Sequence, residues 1–157
     1  MSNMLHLDDN ECEIIEKAVG VLTCGGVIAA PTDTLYGIGC LLSFSESIDR
    51  IYAIKKRDFS KPLAICISDF DHNKLFKNCH MPLEKIRELL PGKFTLIFER
   101  SDTLNRSLNP GVGEIGVRFT ECEIIQEIIR KCGEPLVLTS ANLSGGPNPN
   151  CVEVIEI

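Results

Sequence analysis

Four short stretches place hydroxyls, amides and cations where apolar runs stop: PTDTLYGIGC at 31–40, IKKRDFSKPL at 54–63, GEIGVRFT at 113–120 and LVLTSANLSGG at 136–146. In the first, Thr32 and Thr34 offer hydroxyls that both donate and accept, while Gly37 and Gly39 let backbone approach a ligand closely. A turn held by an Asx-type bond from Asp33 would use the same residues. The second stretch collects Lys55, Lys56, Arg57 and Lys61. Such a cluster suits a polyphosphate, lysine acting as a mobile point charge and arginine as a bidentate fork. Basic residues closing a helix also complement its dipole, for less than about 1 kcal/mol at the surface. In the third stretch Arg118 ends an apolar run and must be paired, either with a ligand carboxylate or phosphate or with a structural acid. In the fourth, Ser140, Asn142 and Ser144 precede two glycines and form a cradle for phosphate oxygens or an amino-acid carboxylate.

Other chemistries find little support. No GxxxxGK[ST] string exists, which excludes a P-loop. GVGEIG at 111–116 satisfies GxGxxG formally, but Asn109-Pro110 precedes it and a strand follows, so it reads as a tight turn. His6, His72 and His80 all lie in surface-like segments, far from a Ser-His-Asp arrangement. The eight cysteines include no CxxC pair, and Cys79-His80 has no second ligand pair, so they read as reduced, mostly core-filling thiols. ECEII occurs at 11 and again at 121, each time opening an amphipathic helix, with nothing else repeated around it. The sequons at Asn105 and Asn142 read as idle in a cytosolic chain. Acidic residues outnumber basic ones 22 to 16, a net charge of −6 that argues against a broad nucleic-acid surface. No apolar run approaches the roughly 20 residues of a membrane span, and the N-terminus has neither signal nor transit character, so a cytoplasmic location is expected.

These residues need elements to hold them. Ile14, Ile15, Ala18, Val19 and Leu22 share a helical face after Asp8-Asp9-Asn10, and the pattern stops at Gly25-Gly26. A strand over 27–30 follows, then a helix over 45–56 with Ile48, Ile51, Tyr52 and Ile54 inward, and a buried strand over 63–67. Helices are predicted over 73–77 and 83–90, strands over 94–98 and 115–119, a helix over 121–131 and a strand over 136–139. The alternation implies an α/β sheet layered with helices, in one domain spanning 1–157, with ligands gathering at the carboxyl ends of the strands.

PTDTLYGIGC, KKR followed by SKPLAICI, PGKFTLIFER, GVRFT and LTSANLSG occur in the order and spacing of the Sua5/YrdC/YciO family, from about Gly25 to Asn150. ERSDTLNRSLNP is similar to the animal YrdC-domain members in particular. The resemblance implies a YrdC-like twisted open α/β sheet with helices packed on it. It also implies threonylcarbamoyl-AMP synthase activity, in which L-threonine, bicarbonate and ATP give L-threonylcarbamoyladenylate and pyrophosphate for the t6A modification of tRNA. Carried onto this chain, it places Thr34, Arg118 and Ser140 at L-threonine. Lys55, Arg57, Lys61, Asn142 and Asn150 fall to the nucleotide, with Lys55 and Arg57 taking the catalytic part. ATP enters as a substrate with Mg2+, no protein-bound metal site is implied, and the product passes to downstream t6A transferase machinery. The chain departs from the usual pattern at Asp58, Lys93 and Thr120, and carries Cys66 where many relatives have histidine. None of these changes removes a charge that the chemistry needs.

Two rival readings follow from the same resemblance: a noncatalytic module binding tRNA or double-stranded RNA, and a carbamoyl-adenylate domain like that of hydrogenase maturation factors. Relatives continue past Ile157 with further sheet and loop segments. On that basis the chain is expected to be a truncated form, lacking the family's C-terminal segment, with reduced turnover and an exposed apolar edge.

Overall fold

The computed structural model describes residues 10–56, 58, 61–69, 74–77 and 81–144. The chain begins with helix α1 (Glu11–Thr23), strands β1 (Ile28–Ala30) and β2 (Gly37–Leu41), and helix α2 (Ser45–Ile54). Strands β3 (Ala64–Cys66) and β4 (Phe76–Lys77), helix α3 (Leu83–Leu89) and strands β5 (Leu96–Arg100) and β6 (Glu114–Arg118) follow, then helix α4 (Glu123–Cys132) and strand β7 (Leu136–Ser140). The seven strands form one sheet in the order β1-β2-β7-β3-β6-β5-β4. The α/β open sheet expected from the sequence is present, but it is mixed: β3 and β6 run parallel, and every other neighbouring pair is antiparallel.

Local chemistry accounts for the helix ends. Asn10 accepts the Cys12 amide at 3.2 Å, and Glu11 and Glu13 sit in the first turn of α1, where the dipole favours acids. Helix α4 carries Arg130 and Lys131 in its last turn and stops at Gly133, whose φ of 74° suits glycine. Leu90 is extended ahead of Pro91, because proline crowds an α-helical predecessor.

Register sorts the core into two layers. Cys40, Val137, Ile65, Val117 and Leu96 lie opposite one another across the sheet and face α2, which contributes Ile48, Ile51 and Tyr52. On the other face Leu41, Leu136, Leu138 and Cys66 pack with Ile15 and Leu22 of α1 and Ile125, Ile128 and Ile129 of α4. On this second face the row Gly39, Leu138, Ala64, Gly116, Ile97 crosses the sheet with small side chains at its centre and an exposed Ile97 at its end.

Several expectations change. Residues 37–41 form a fully buried strand rather than a ligand loop. A Cβ on Gly39 would lie 2.8 Å from Val137 O, and one on Gly37 would lie 2.9 Å from Leu138 Cδ1. These glycines serve packing against β7. Phe76 and Lys77, expected in a helix, pair with Arg100 and Glu99, and Phe76 stacks on Phe98 at 4.3 Å. Cross-strand aromatic contact prevails there over helical spacing. Strand β5 starts two residues later than predicted, leaving Phe94 exposed. Cys40 and Cys66 fill the core, whereas Cys12 and Cys24 are exposed. His6, His72, His80, Cys79 and Cys151 lie outside the described residues, as does the 145–157 segment. GVGEIG is the turn expected, with Gly111 at φ 79°, and β6 begins at Glu114.

Candidate functional site

The site is assembled on the small-residue face. Between β1 and β2 the chain forms a turn organised by Thr32, not by Asp33. Thr32 Oγ1 donates to Leu35 O at 2.6 Å and accepts the amides of Thr34 and Leu35, each at 3.2 Å. This is a hydroxyl-centred turn, so the Asx reading of Asp33 is set aside. The Asp33 carboxylate is instead drawn to Arg118 at the end of β6: Arg118 Nη2 lies 3.1 Å from Asp33 Oδ1 and 3.4 Å from Thr34 Oγ1. The structural-acid alternative for the arginine is therefore realised, with the Thr34 hydroxyl beside it. Thr34 itself is exposed.

A second group forms at the carboxyl end of β7. Lys55, expected to be an exposed cation at a helix end, is buried, with 2% of its surface accessible. Its side chain leaves the C-terminus of α2 and donates to Ser140 O, to Asn142 O at 2.7 Å and to Asn142 Oδ1 at 3.5 Å. Ser140 Oγ donates to Asn142 Oδ1 at 2.5 Å, and Ser144 N donates to Lys55 O at 3.1 Å. Loop carbonyls turned inward need a donor, and a buried ammonium supplies several from one atom. Lys61 Nζ reaches Ser144 Oγ at 3.4 Å on the exposed side. Lys56 is exposed with φ 47°, and Arg57 and Asn150 lie outside the described residues.

Register shows how the two groups relate. Arg118 lies opposite Cys66, which lies opposite Leu136, while Ser140 is four residues further along β7 on the same face. At about 3.3 Å per residue they stand roughly 13 Å apart along the strand direction. Ala64 and Gly116 lie between them. The 31–36 loop spans the gap: Pro31 O accepts the Cys122 thiol at 3.6 Å near the arginine, and Tyr36 O accepts the Ala141 amide at 2.9 Å near the serine. Thr34 and Arg118 are thus brought together, as are Lys55, Lys61, Ser140 and Asn142, but Ser140 does not share the arginine's end. Asp33 was absent from the candidate residues; a carboxylate flanked by two threonines was the available signal. Burial raises the Cys66 thiol beside this site to about 11, with a Thr120 backbone bond and the Arg118 charge opposing the shift. That makes it an inert neutral thiol at physiological pH.

The fold and site define an open-sheet α/β protein with two separate groups of polar side chains toward one face. The profile of the Sua5, YciO and YrdC family, described as telomere recombination, matches residues 20–157, and the chain belongs to that family. It is 42% identical over 134 residues to the threonylcarbamoyl-AMP synthase of Bos taurus, covering 84% of this chain and 48% of that one. The crystal structure of P. abyssi Sua5 complexed with L-threonine superposes with a TM-score of 0.84 at 30% identity, covering 93% of this chain and 43% of that chain. The T. kodakarensis HypF structure shares the fold, with a TM-score of 0.76 at 22% identity, over 88% of this chain and 18% of its own. The chain spans about half the length of the curated relatives it matches.

Proposed function

We propose that this chain carries the adenylate-forming site of a threonylcarbamoyl-AMP synthase, which converts L-threonine, bicarbonate and ATP to L-threonylcarbamoyladenylate and pyrophosphate. The observation that carries the reading is the spacing of the two polar groups. An amino-acid end at Thr34 and Arg118 and a nucleotide end at Ser140, Asn142 and Lys61 are offset by roughly 13 Å along the strand direction, with β3 between the two strands that carry Arg118 and Ser140. The floor between them is made of Ala64 and Gly116. An amino acid joined through a carbamate to an adenylate has two polar termini to match. The curated relatives' name supports the reading, as does the L-threonine held by the P. abyssi protein.

In this scheme the L-threonine nitrogen takes up CO2 from bicarbonate to give a carbamate, one carbamate oxygen attacks the α-phosphorus, and pyrophosphate leaves. The chain contributes positioning and fixed charge rather than a covalent intermediate. Arg118 and Thr34 hold the amino acid, while Lys61 and Asn142 serve the nucleotide; Arg57 and Asn150, given the same part by the family resemblance, lie outside the described residues. Lys55 acts beneath them, holding the loop carbonyls and placing a positive charge under the phosphates. Mg2+ would enter with those phosphates; among the described residues no cluster of three His, Cys, Asp or Glu side chains is placed to hold a metal ion. The product would pass to the t6A transferase machinery. Pyrophosphate release from ATP by the chain tests the reading. Dependence on both L-threonine and bicarbonate is expected; salt-sensitive tRNA binding without turnover would replace it with the RNA-binding alternative.

A further inference from the structure

Arg118 leaves β6 with one edge of its guanidinium against Asp33. Nη2 donates to Oδ1 at 3.1 Å, and two more atoms of the pair, Arg118 Nε and Asp33 Oδ2, are buried without any hydrogen-bond partner. In a guanidinium, Nη2 and Nε–H share one edge, and their N–H bonds are spaced to meet the two oxygens of a carboxylate. The orphaned nitrogen and the orphaned oxygen therefore belong to the facing edges of one ion pair. Leaving both unmade is unfavourable in a buried setting, and with Nη2 already on Oδ1 the orphaned Nε–H and Oδ2 are each other's natural partners.

The other end of the arginine differs. Nη2 also reaches Thr34 Oγ1 at 3.4 Å, and Nη1 makes no hydrogen bond to a described residue. The Arg118 side chain keeps 21% of its exposure while that of Asp33 keeps 6%.

From this asymmetry we infer that Asp33 is a positioning residue that clamps the Nε edge of Arg118 while Thr34 occupies Nη2, so that only Nη1 is open to a ligand carboxylate. The paired carboxylate also cancels the arginine's formal charge. What remains is a set of directed N–H donors suited to the single negative charge of an amino-acid carboxylate, and less suited to a dianionic phosphate. For the identity of that ligand, L-threonine, the inference rests on the function proposed above.

The clamp is tested on the chain labelled with 15N-arginine, with the Arg118 Nε–H signal assigned by its loss in Arg118→Lys. In the wild-type chain that proton should exchange with water at least about tenfold more slowly than those of exposed arginines, and the protection should disappear in Asp33→Asn. The amide keeps the size of the side chain but presents one donor to Nε–H. Calorimetric titration gives the functional arm. Asp33→Asn should weaken L-threonine binding about tenfold and leave L-threoninol, which lacks the carboxylate, unchanged. In an Arg118→Lys background it should add nothing, the signature of action through the arginine. Equal Nε–H exchange in wild type and Asp33→Asn, or an equal loss for threonine and threoninol, would overturn the proposal. A wild-type chain that protects Nε–H yet binds no L-threonine would sink the substrate reading and leave the clamp standing.

Discussion

Lys55→Met keeps most of the side chain's apolar stem and removes its charged donor. Lys55 Nζ donates to the carbonyls of Ser140 and Asn142, both part-buried. A buried acceptor left without its donor costs about 1–3 kcal/mol, and water recovers part of that at a half-buried oxygen. Two such carbonyls give an expected loss of about 3 kcal/mol, whereas an exposed lysine at a helix end would give under about 1 kcal/mol. At roughly 2–4 °C per kcal/mol for a chain of this size, Tm should fall by about 6–12 °C. Urea unfolding followed by circular dichroism measures the loss, with the slope m unchanged if only the native state is affected. Amide exchange at Ala141, which donates to Tyr36 O at 2.9 Å, should accelerate as the loop loses its anchor. A change below about 0.5 kcal/mol, with Ala141 exchange unaltered, would refute the anchoring role and restore Lys55 to the surface cations.

Arg118→Lys keeps a charge but loses the fork, so L-threonine-dependent pyrophosphate release should drop at least about tenfold while circular dichroism shows a retained fold. Burial raises the Cys40 thiol to about 12 and the Cys66 thiol to about 11, from 9.0. The unfolded chain then loses these protons first, so stability should hold below pH 9 and decline as pH rises from there to 11–12; Cys40→Ala should flatten that decline in alkaline urea titrations. Gly39→Ala should cost about 1–3 kcal/mol, because the added carbon meets Val137 O, while Gly113→Ala, with open space around it, should stay within about 0.5 kcal/mol by thermal melts.

The parts of the fold that could be read in advance are those whose signal is local. Helix α4 announced itself by Ile125, Ile128 and Ile129 on one face, and β3 by an unbroken apolar run. Strand β2 was hidden because Gly37 and Gly39 have low strand propensity; they are there because β7 packs too closely to leave room for a Cβ. The 101–112 loop, whose string marked the animal members, proves to be a scaffold. Arg100 holds Asn105 O at 2.7 Å and also Leu108 O, and Asn109 exchanges bonds with both backbone groups of Leu63, at 2.6 and 2.8 Å. Asn105, a sequon by its sequence, donates inward to Leu42 O at 3.0 Å. Strings of polar residues report structural and functional roles alike, and only their partners tell them apart.

The candidate residues were legible as types, but their arrangement depends on where β7 enters the sheet. Ligands gather at the carboxyl ends of strands when all strands run one way, since every such end then lies along one rim. Here β7 runs antiparallel to β3, and β3 runs parallel to β6, so the carboxyl ends carrying Ser140 and Arg118 lie at opposite rims. Nothing local in the sequence encodes that insertion, because the final strand of the described chain settles between β2 and β3, far from it in sequence. The consequence is a site that must be bridged rather than rimmed. The 31–36 loop does the bridging, tied to Cys122 at one end and to Ala141 at the other. One short segment thus serves both polar groups. The function proposed above calls for an elongated ligand, with one end at Arg118 and the other at the Ser140 loop, and such a geometry suits it. A compact anion would engage one rim and leave the other without a partner.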